Sequence, residues 1–175
     1  MAARARIRAV PNIISLSRVL LAIAFVAVGH PDARLVVVAL AAGTDFLDGW
    51  VARRAHSTTR WGALIDPVAD RVFAVVAASF FLVTGGLSVI GLLVMLSRDI
   101  MTACGFIVAR LVSWLRPVQF KARMSGKIVT TMQFLTFIAL LAIRPWVTPL
   151  LWIVGFTSAY SIADYTMALW RARVQ

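Results

Sequence analysis

The chain has 175 residues, of which 61% are hydrophobic, a mean hydropathy of +0.89 and a net charge of +11. This apolar content excludes an ordinary soluble domain, and it makes anionic lipid or a phosphorylated substrate a better match for the positive charge than nucleic acid. The single cysteine excludes an internal disulfide.

Long apolar stretches predict six membrane helices, each near the roughly 20 residues that span a bilayer. In chain order they cover approximately 11–29, 33–54, 61–84, 88–112, 122–143 and 146–170. Glycine, proline and charged residues separate them, as at Gly85-Gly86 and Arg116-Pro117. We therefore predict a single all-α membrane domain over residues 1–175, in which residues 1–10 form a short juxtamembrane segment.

The basic residues predict how these helices are oriented. With six spans both termini lie on one side, and most arginines and lysines of the loops fall on that side. In the loops on the opposite side stand only Arg34 and Arg144. The positive-inside rule therefore predicts that both termini, and the segment 1–10, are cytoplasmic.

Four of the seven acidic residues lie between positions 45 and 70, although an aspartate inside a bilayer is costly. Asp45 and Asp48 are three residues apart, and Asp66 and Asp70 are four apart, so each pair shares a helix face. On two antiparallel helices the four carboxylates would meet around a cavity that faces the cytoplasm. They require cations there, and oxygen ligands suit Mg²⁺, Mn²⁺ or Ca²⁺.

Small residues and an arginine follow the first aspartate pair. Gly49 and Ala52 continue the Asp45 face and would let a ligand approach the helix backbone. Arg53 then supplies a planar set of donors for phosphate. This combination indicates a phosphate or pyrophosphate site, and the alternative for the two small residues is close helix packing.

The spacing of these residues resembles the signature of the CDP-alcohol phosphotransferase family. All eight fixed positions of that signature are present, namely Asp45, Asp48, Gly49, Ala52, Arg53, Gly62, Asp66 and Asp70. The resemblance extends along almost the whole chain through Pro11-Asn12, Arg18, Thr44, Lys127 and Gln133. It implies six membrane helices in the fold of that family, usually in a homodimer, with a cytoplasmic active site in a bacterial inner membrane.

The resemblance also implies a reaction and assigns roles to residues. CDP-diacylglycerol would be the donor, CMP the leaving group, and two Mg²⁺ or Mn²⁺ ions the cofactors. Asp45, Asp48 and Asp66 would hold the first ion, and Asp66 and Asp70 the second. Asp70 would also be the general base. The donor would contact Asn12, Thr44, Asp48, Gly49, Ala52, Arg53 and Gly62.

The acceptor is less clearly indicated. Arg98, Arg110 and Lys127 could form a basic pocket for a phosphate, whereas the alternative for Arg98 is a local ion pair with Asp99. The Arg98-Asp99 pair, Arg110 and the stretch 158–161 resemble cardiolipin synthases, and Val129 stands where phosphatidylglycerophosphate synthases typically carry a second lysine. Both features favour phosphatidylglycerol as the acceptor. Gly126 resembles phosphatidylglycerophosphate synthases, and glycerol 3-phosphate is therefore the alternative acceptor.

Two other functional classes use aspartates within membrane helices. A membrane prenyltransferase binds pyrophosphate through two aspartate motifs, but the Gly49, Ala52 and Arg53 pattern is not typical of it. A cation transporter needs a polar path to both faces, and the outer half of this chain offers almost none. Both are kept as distant alternatives.

Overall fold

The computed structural model describes the backbone of residues 17–55, 62–111 and 124–174 and the side chains of residues 17–45, 71–105 and 125–167. Most of the described residues are helical, and none of them forms a strand. The helices are α1 (Ser17–Ala27), α2 (Pro31–Ala55), α3 (Gly62–Val83), α4 (Val89–Leu111), α5 (Met124–Ala142) and α6 (Val147–Val174). The predicted all-α class is confirmed, and within the described ranges the six helices follow the predicted order. Residues 1–16, including the juxtamembrane segment and the predicted start of the first helix, lie outside these ranges.

Short connections join several of these helices. Pro31 begins α2, where its missing N–H removes no helical hydrogen bond. Gly85 follows the end of α3 with a φ of 72°, a conformation that favours glycine. Its N–H donates to the Leu82 carbonyl at 3.1 Å, and the Gly86 N–H donates to the Phe81 carbonyl at 2.7 Å. This Schellman arrangement ends α3 at the Gly85-Gly86 break that the sequence predicts.

An aromatic core lies in the half of α3 that follows Arg71. The buried Phe25 ring of α1 packs edge-on to Phe73 and Phe81, with centroid distances of 5.9 and 5.7 Å. Phe81 in turn stacks on Phe137 of α5 at 6.1 Å. α5 occupies a central place, since it packs against α2, α3 and α6. This core stabilises one half of the helix bundle. The acidic positions of α3 lie in the other half of that helix.

Two helices contain segments long and apolar enough to cross a membrane, namely Ser125–Ala142 and Arg144–Met167. Shorter apolar stretches lie in α1 and in the second half of α3. The predicted six spans are thus supported for two helices of the described part. Charged residues interrupt the others, because α2 carries Asp45 and Asp48 and α4 carries Arg98 and Asp99.

Large apolar side chains are nevertheless exposed on the described part of every helix. Each described helix exposes at least two of them, among which are Leu20, Ile23, Val36, Leu40, Val75, Val83, Ile90, Leu93, Ile128, Leu135, Trp152 and Phe156. An exposed apolar surface of this extent is unfavourable in water and is typical of a surface that contacts lipid or another protein.

Candidate active site

The backbone of α2 and α3 carries the acidic motif in continuous helix. α2 runs without a break through positions 45, 48, 49 and 52 and ends at Ala55, whereas α3 begins at Gly62 and includes positions 66 and 70. The 3.6-residue period therefore puts positions 45 and 48 on one side of α2, and positions 66 and 70 on one side of α3. The prediction that both pairs lie on helices is confirmed.

Asp45 is the one member of the acidic motif whose side chain is described. Its carboxylate is 35% exposed, and Oδ1 lies 3.2 Å from Nη1 of Arg18 on α1. The Arg18 side chain is only 2% exposed. The preceding residue, Thr44, donates its hydroxyl to the Ala41 carbonyl at 2.8 Å. One predicted cation ligand is therefore held by a buried arginine that the sequence did not assign to the site.

The other predicted metal and donor residues cannot be placed by side-chain contacts. The side chains of Asp48, Gly49, Ala52, Arg53, Gly62, Asp66 and Asp70, and the whole of Asn12, lie outside the described residues. Among the side chains that are described, no group of three His, Cys, Asp or Glu residues could hold a metal ion. The predicted two-ion site involves undescribed side chains and stays a prediction.

A second polar cluster surrounds the buried carboxylate of Asp99 on α4, which is 7% exposed. Its Oδ1 lies 3.3 Å from Arg98 Nη1 and 3.5 Å from Arg71 Nε. Its Oδ2 accepts a hydrogen bond of 2.9 Å from the Gln133 amide of α5. Arg71 also donates to Thr102 Oγ1 at 2.6 Å. This Asp99 cluster, composed of Arg71, Arg98, Asp99 and Gln133, joins α3, α4 and α5 and holds two arginines at one carboxylate.

Arg98 also reaches α5 next to another predicted acceptor residue. A Cβ atom at Gly126 would overlap Arg98 Nη2 and lie 3.1 Å from Arg98 Cζ, so glycine leaves room for the guanidinium. Arg98 Nε is buried and has no hydrogen-bond acceptor in the described part of the chain. Lys127, the next residue, is exposed. The local ion pair of Arg98 with Asp99 is confirmed, and a phosphate role for Arg98 stays a prediction; the Arg110 side chain lies outside the described residues.

Sequence reasoning did not assign Arg18, Arg71 or Gln133 to any site. Arg18 and Gln133 were points of resemblance to the family without a role of their own, and Arg71 received no role. The available signal was a polar residue inside an apolar helix, since such residues are costly unless they are paired. The identity of each partner depends on how the helices pack, and it is not contained in the local sequence.

Comparison with known proteins gives one consistent result. A sequence model of the CDP-alcohol phosphatidyltransferase family matches residues 8–158. A protein of Escherichia coli (strain K12), named CDP-diacylglycerol--glycerol-3-phosphate 3-phosphatidyltransferase, is 32% identical over 171 residues, which covers 92% of this chain and 89% of the relative. A Pseudomonas fluorescens protein of the same name is 31% identical over 180 residues, with 92% and 90% covered. A Shigella flexneri protein of that name is 32% identical over 171 residues, with 92% and 89% covered.

Proposed function

The chain belongs to the CDP-alcohol phosphatidyltransferase family, and we propose that it transfers the phosphatidyl group of CDP-diacylglycerol to glycerol 3-phosphate and releases CMP. The family assignment makes the protein a transferase. Glycerol 3-phosphate replaces phosphatidylglycerol, the acceptor first favoured by the sequence, because the names of the relatives contain glycerol-3-phosphate. The observation that carries the proposal is the match of the family to residues 8–158, which includes the whole acidic motif.

In the proposed reaction a hydroxyl oxygen of the acceptor attacks the phosphorus that bears diacylglycerol. A new P–O bond forms there, the bond from that phosphorus to the CMP phosphate breaks, and CMP leaves. Asp70 takes the proton of the attacking hydroxyl, which requires one carboxylate oxygen within hydrogen-bond reach of it. Arg53 would bind donor phosphate through its planar donors, and Gly49 and Ala52 would leave space for the CDP group.

The donor set of α2 and α3 fits two divalent cations. Four aspartates at positions 45, 48, 66 and 70 provide only oxygen ligands, which suits Mg²⁺ or Mn²⁺. The carboxylate of Asp45 is partly exposed, and its ion pair with Arg18 engages Oδ1, so the second oxygen can serve as a ligand. When bound, the cations would neutralise the pyrophosphate and the charge that develops on the leaving CMP.

The Asp99 cluster supports a small anionic acceptor. Glycerol 3-phosphate carries about two negative charges, so its site needs several cations close together. Arg71 and Arg98 both contact the carboxylate of Asp99, and Arg98 reaches Gly126 beside Lys127, so three cations lie in this region. Arg71 directly follows Asp70, so the phosphate of the acceptor would bind near the proposed base. Arg110 would add a further cation from α4.

The proposed setting is a bacterial inner membrane, with both termini and the active site in the cytoplasm. The apolar outer surface of the helices supports a lipid environment for all six of them, including those whose charged residues interrupt the apolar stretch. In this arrangement the polar halves of α2, α3 and α4 face the cytoplasm, where CDP-diacylglycerol presents its nucleotide. A homodimer is part of the proposal through the family resemblance.

CMP release tests the proposed reaction. The full chain, purified in detergent, would be incubated with CDP-diacylglycerol and either no acceptor, glycerol 3-phosphate or phosphatidylglycerol. We expect release with glycerol 3-phosphate, its loss in EDTA, and its return with Mg²⁺ or Mn²⁺. Asp66→Asn should be the most damaging change in the motif, because Asp66 is assigned to both cations. Release by a chelated enzyme would contradict the two-cation assignment, and no release with either acceptor would contradict the transferase reaction.

A further inference from the structure

Arg18 occupies the inward face of α1, although it is charged. Ala22 and Phe25 follow it at i+4 and i+7, and both are buried together with it. A guanidinium in an apolar environment is costly unless it is paired. Its Nη1 lies 3.2 Å from Asp45 Oδ1, so α1 contributes a buried cation to the first aspartate of the acidic motif.

This contact determines how the carboxylate can be presented. Asp45 lies on α2 with 35% of its side chain exposed, and an unpaired carboxylate there would sample several rotamers. A hydrogen-bonded partner fixes the rotamer of a metal-binding side chain, and loss of such a partner typically weakens metal binding about 10- to 100-fold. Arg18 can restrict Asp45 in this way because the arginine side chain is itself buried, with only 2% of it exposed.

We propose that Arg18 is a positioning residue for Asp45, which it holds in the orientation that binds a divalent cation. The inference rests on the proposed function, because it requires that Asp45 be a cation ligand. In this proposal α1 contributes to the cation site together with α2 and α3, the two helices that carry the acidic motif. If Arg18 were only a countercharge for Asp45, its removal would have the opposite effect, because loss of a nearby positive charge strengthens the binding of a cation.

Direct titration of the full chain with Mn²⁺ tests the proposal without reference to activity. Free Mn²⁺ is measured by electron paramagnetic resonance in wild type, Arg18→Met and Arg18→Lys. We expect binding about 10- to 100-fold weaker in Arg18→Met. Arg18→Lys should lie between Arg18→Met and wild type, because an ammonium keeps the charge but lacks the planar donors. If Arg18→Met does not fold, the Arg18→Lys titration carries the test.

Arg34→Met is the matched control for loss of a partly buried arginine. Arg34 donates from Nε to the Phe25 carbonyl at 3.2 Å, and its guanidinium lies 4.4 Å from the centre of the Phe80 ring. It thus joins α2 to α1 and α3 near the other end of α2. We expect Arg34→Met to lower thermal stability and to bind Mn²⁺ like wild type.

A double-mutant cycle separates positioning from general stabilisation. If Arg18 acts through Asp45, adding Arg18→Met to Asp45→Asn should change Mn²⁺ affinity by less than about twofold. Wild-type or tighter Mn²⁺ binding by Arg18→Met would overturn the inference, and so would an equal loss in Arg34→Met. If those results accompany normal CMP release by wild type, the proposed function stands without this inference. Absence of both Mn²⁺ binding and CMP release in wild type would overturn both.

Discussion

At the level of single residues, Asp70 and Arg71 connect the acidic motif to the Asp99 cluster, because they are adjacent in sequence. Asp70 belongs to the acidic motif, whereas Arg71 lies 3.5 Å from Asp99 and donates to Thr102. The contacts of Arg71 attach this part of α3 to α4. The proposed base is therefore carried on a segment of α3 whose position relative to the Asp99 cluster is fixed by ion pairing.

Removal of the proposed base should affect turnover more than binding. We expect Asp70→Asn to lower kcat by about 10²-fold or more, the range for loss of a general base, with a much smaller loss of CDP-diacylglycerol affinity. CMP release and a donor-binding assay measure the two quantities. Asp32→Asn, at the exposed start of α2, should retain wild-type kcat. Equal losses of binding and turnover in Asp70→Asn would make Asp70 mainly a cation ligand.

Gly126 provides a test of the proposed acceptor site. An alanine Cβ at this position would overlap the end of the Arg98 side chain, so the guanidinium must move away from α5. We expect Gly126→Ala to raise KM for glycerol 3-phosphate roughly tenfold, equivalent to a loss of about 1.4 kcal/mol of binding free energy. KM for CDP-diacylglycerol should change little. Steady-state kinetics with each substrate varied would measure both.

Gly155→Ala on α6 is the matched control for this change. A Cβ there would lie 3.4 Å from Val94 Cγ1, an ordinary van der Waals contact, so neither KM should move. If Gly126→Ala leaves KM for glycerol 3-phosphate unchanged, the guanidinium of Arg98 does not bind the acceptor phosphate.

At the level of helices, α4 and α5 are joined through a buried amide. Gln133 donates from Nε2 to the Met95 carbonyl at 2.6 Å and to Asp99 Oδ2 at 2.9 Å. Ser125 makes a comparable connection on the other side of α5, where it donates to Asp164 Oδ2 of α6 at 3.1 Å. These hydrogen bonds fix the rotation of α5 between its neighbours, which apolar packing alone would leave less specific.

Substitution of Gln133 by leucine should therefore destabilise the bundle. The change keeps a similar side-chain volume but removes both hydrogen bonds, one of which is to a buried carboxylate. We expect the free energy of unfolding to fall by about 1–3 kcal/mol. Thermal unfolding in detergent would detect it as a lower Tm. Thr131→Val, on an exposed face where the hydroxyl bonds only to the Lys127 carbonyl of its own helix, should change Tm little. Equal Tm values for Gln133→Leu and wild type would mean that this amide does not hold α4 to α5.

The helices themselves were largely predictable from the sequence, and the physical reasons are local. Gly85-Gly86 and Pro31 lie at helix ends, since a positive φ favours glycine and proline is tolerated in a first turn. The helical spacing of the four aspartates was predictable for the same reason. The membrane spans were less well predicted, because only Ser125–Ala142 and Arg144–Met167 of the described part are apolar over a sufficient length, whereas charged residues interrupt α2 and α4.

At the level of the whole molecule, the ion pairs of the candidate site were not predictable. Arg18–Asp45 joins α1 to α2, and Arg71–Asp99 joins α3 to α4, so each depends on tertiary packing and on side-chain rotamers. The preference for phosphatidylglycerol came from resemblance to cardiolipin synthases, and the predicted phosphate pocket contained Arg98, Arg110 and Lys127. Arg71 lies at the same carboxylate as Arg98, and this additional cation supports the proposed glycerol 3-phosphate acceptor.

The identity of the lipid product tests the central proposal most directly. The purified 175-residue protein would receive CDP-diacylglycerol, ¹³C-labelled glycerol 3-phosphate and deuterated phosphatidylglycerol together, and lipids would be analysed by mass spectrometry. We predict phosphatidylglycerophosphate that carries the ¹³C label, in an amount equal to the CMP released. Deuterated cardiolipin with no ¹³C-labelled lipid would contradict the proposed acceptor while leaving the protein a phosphatidyltransferase.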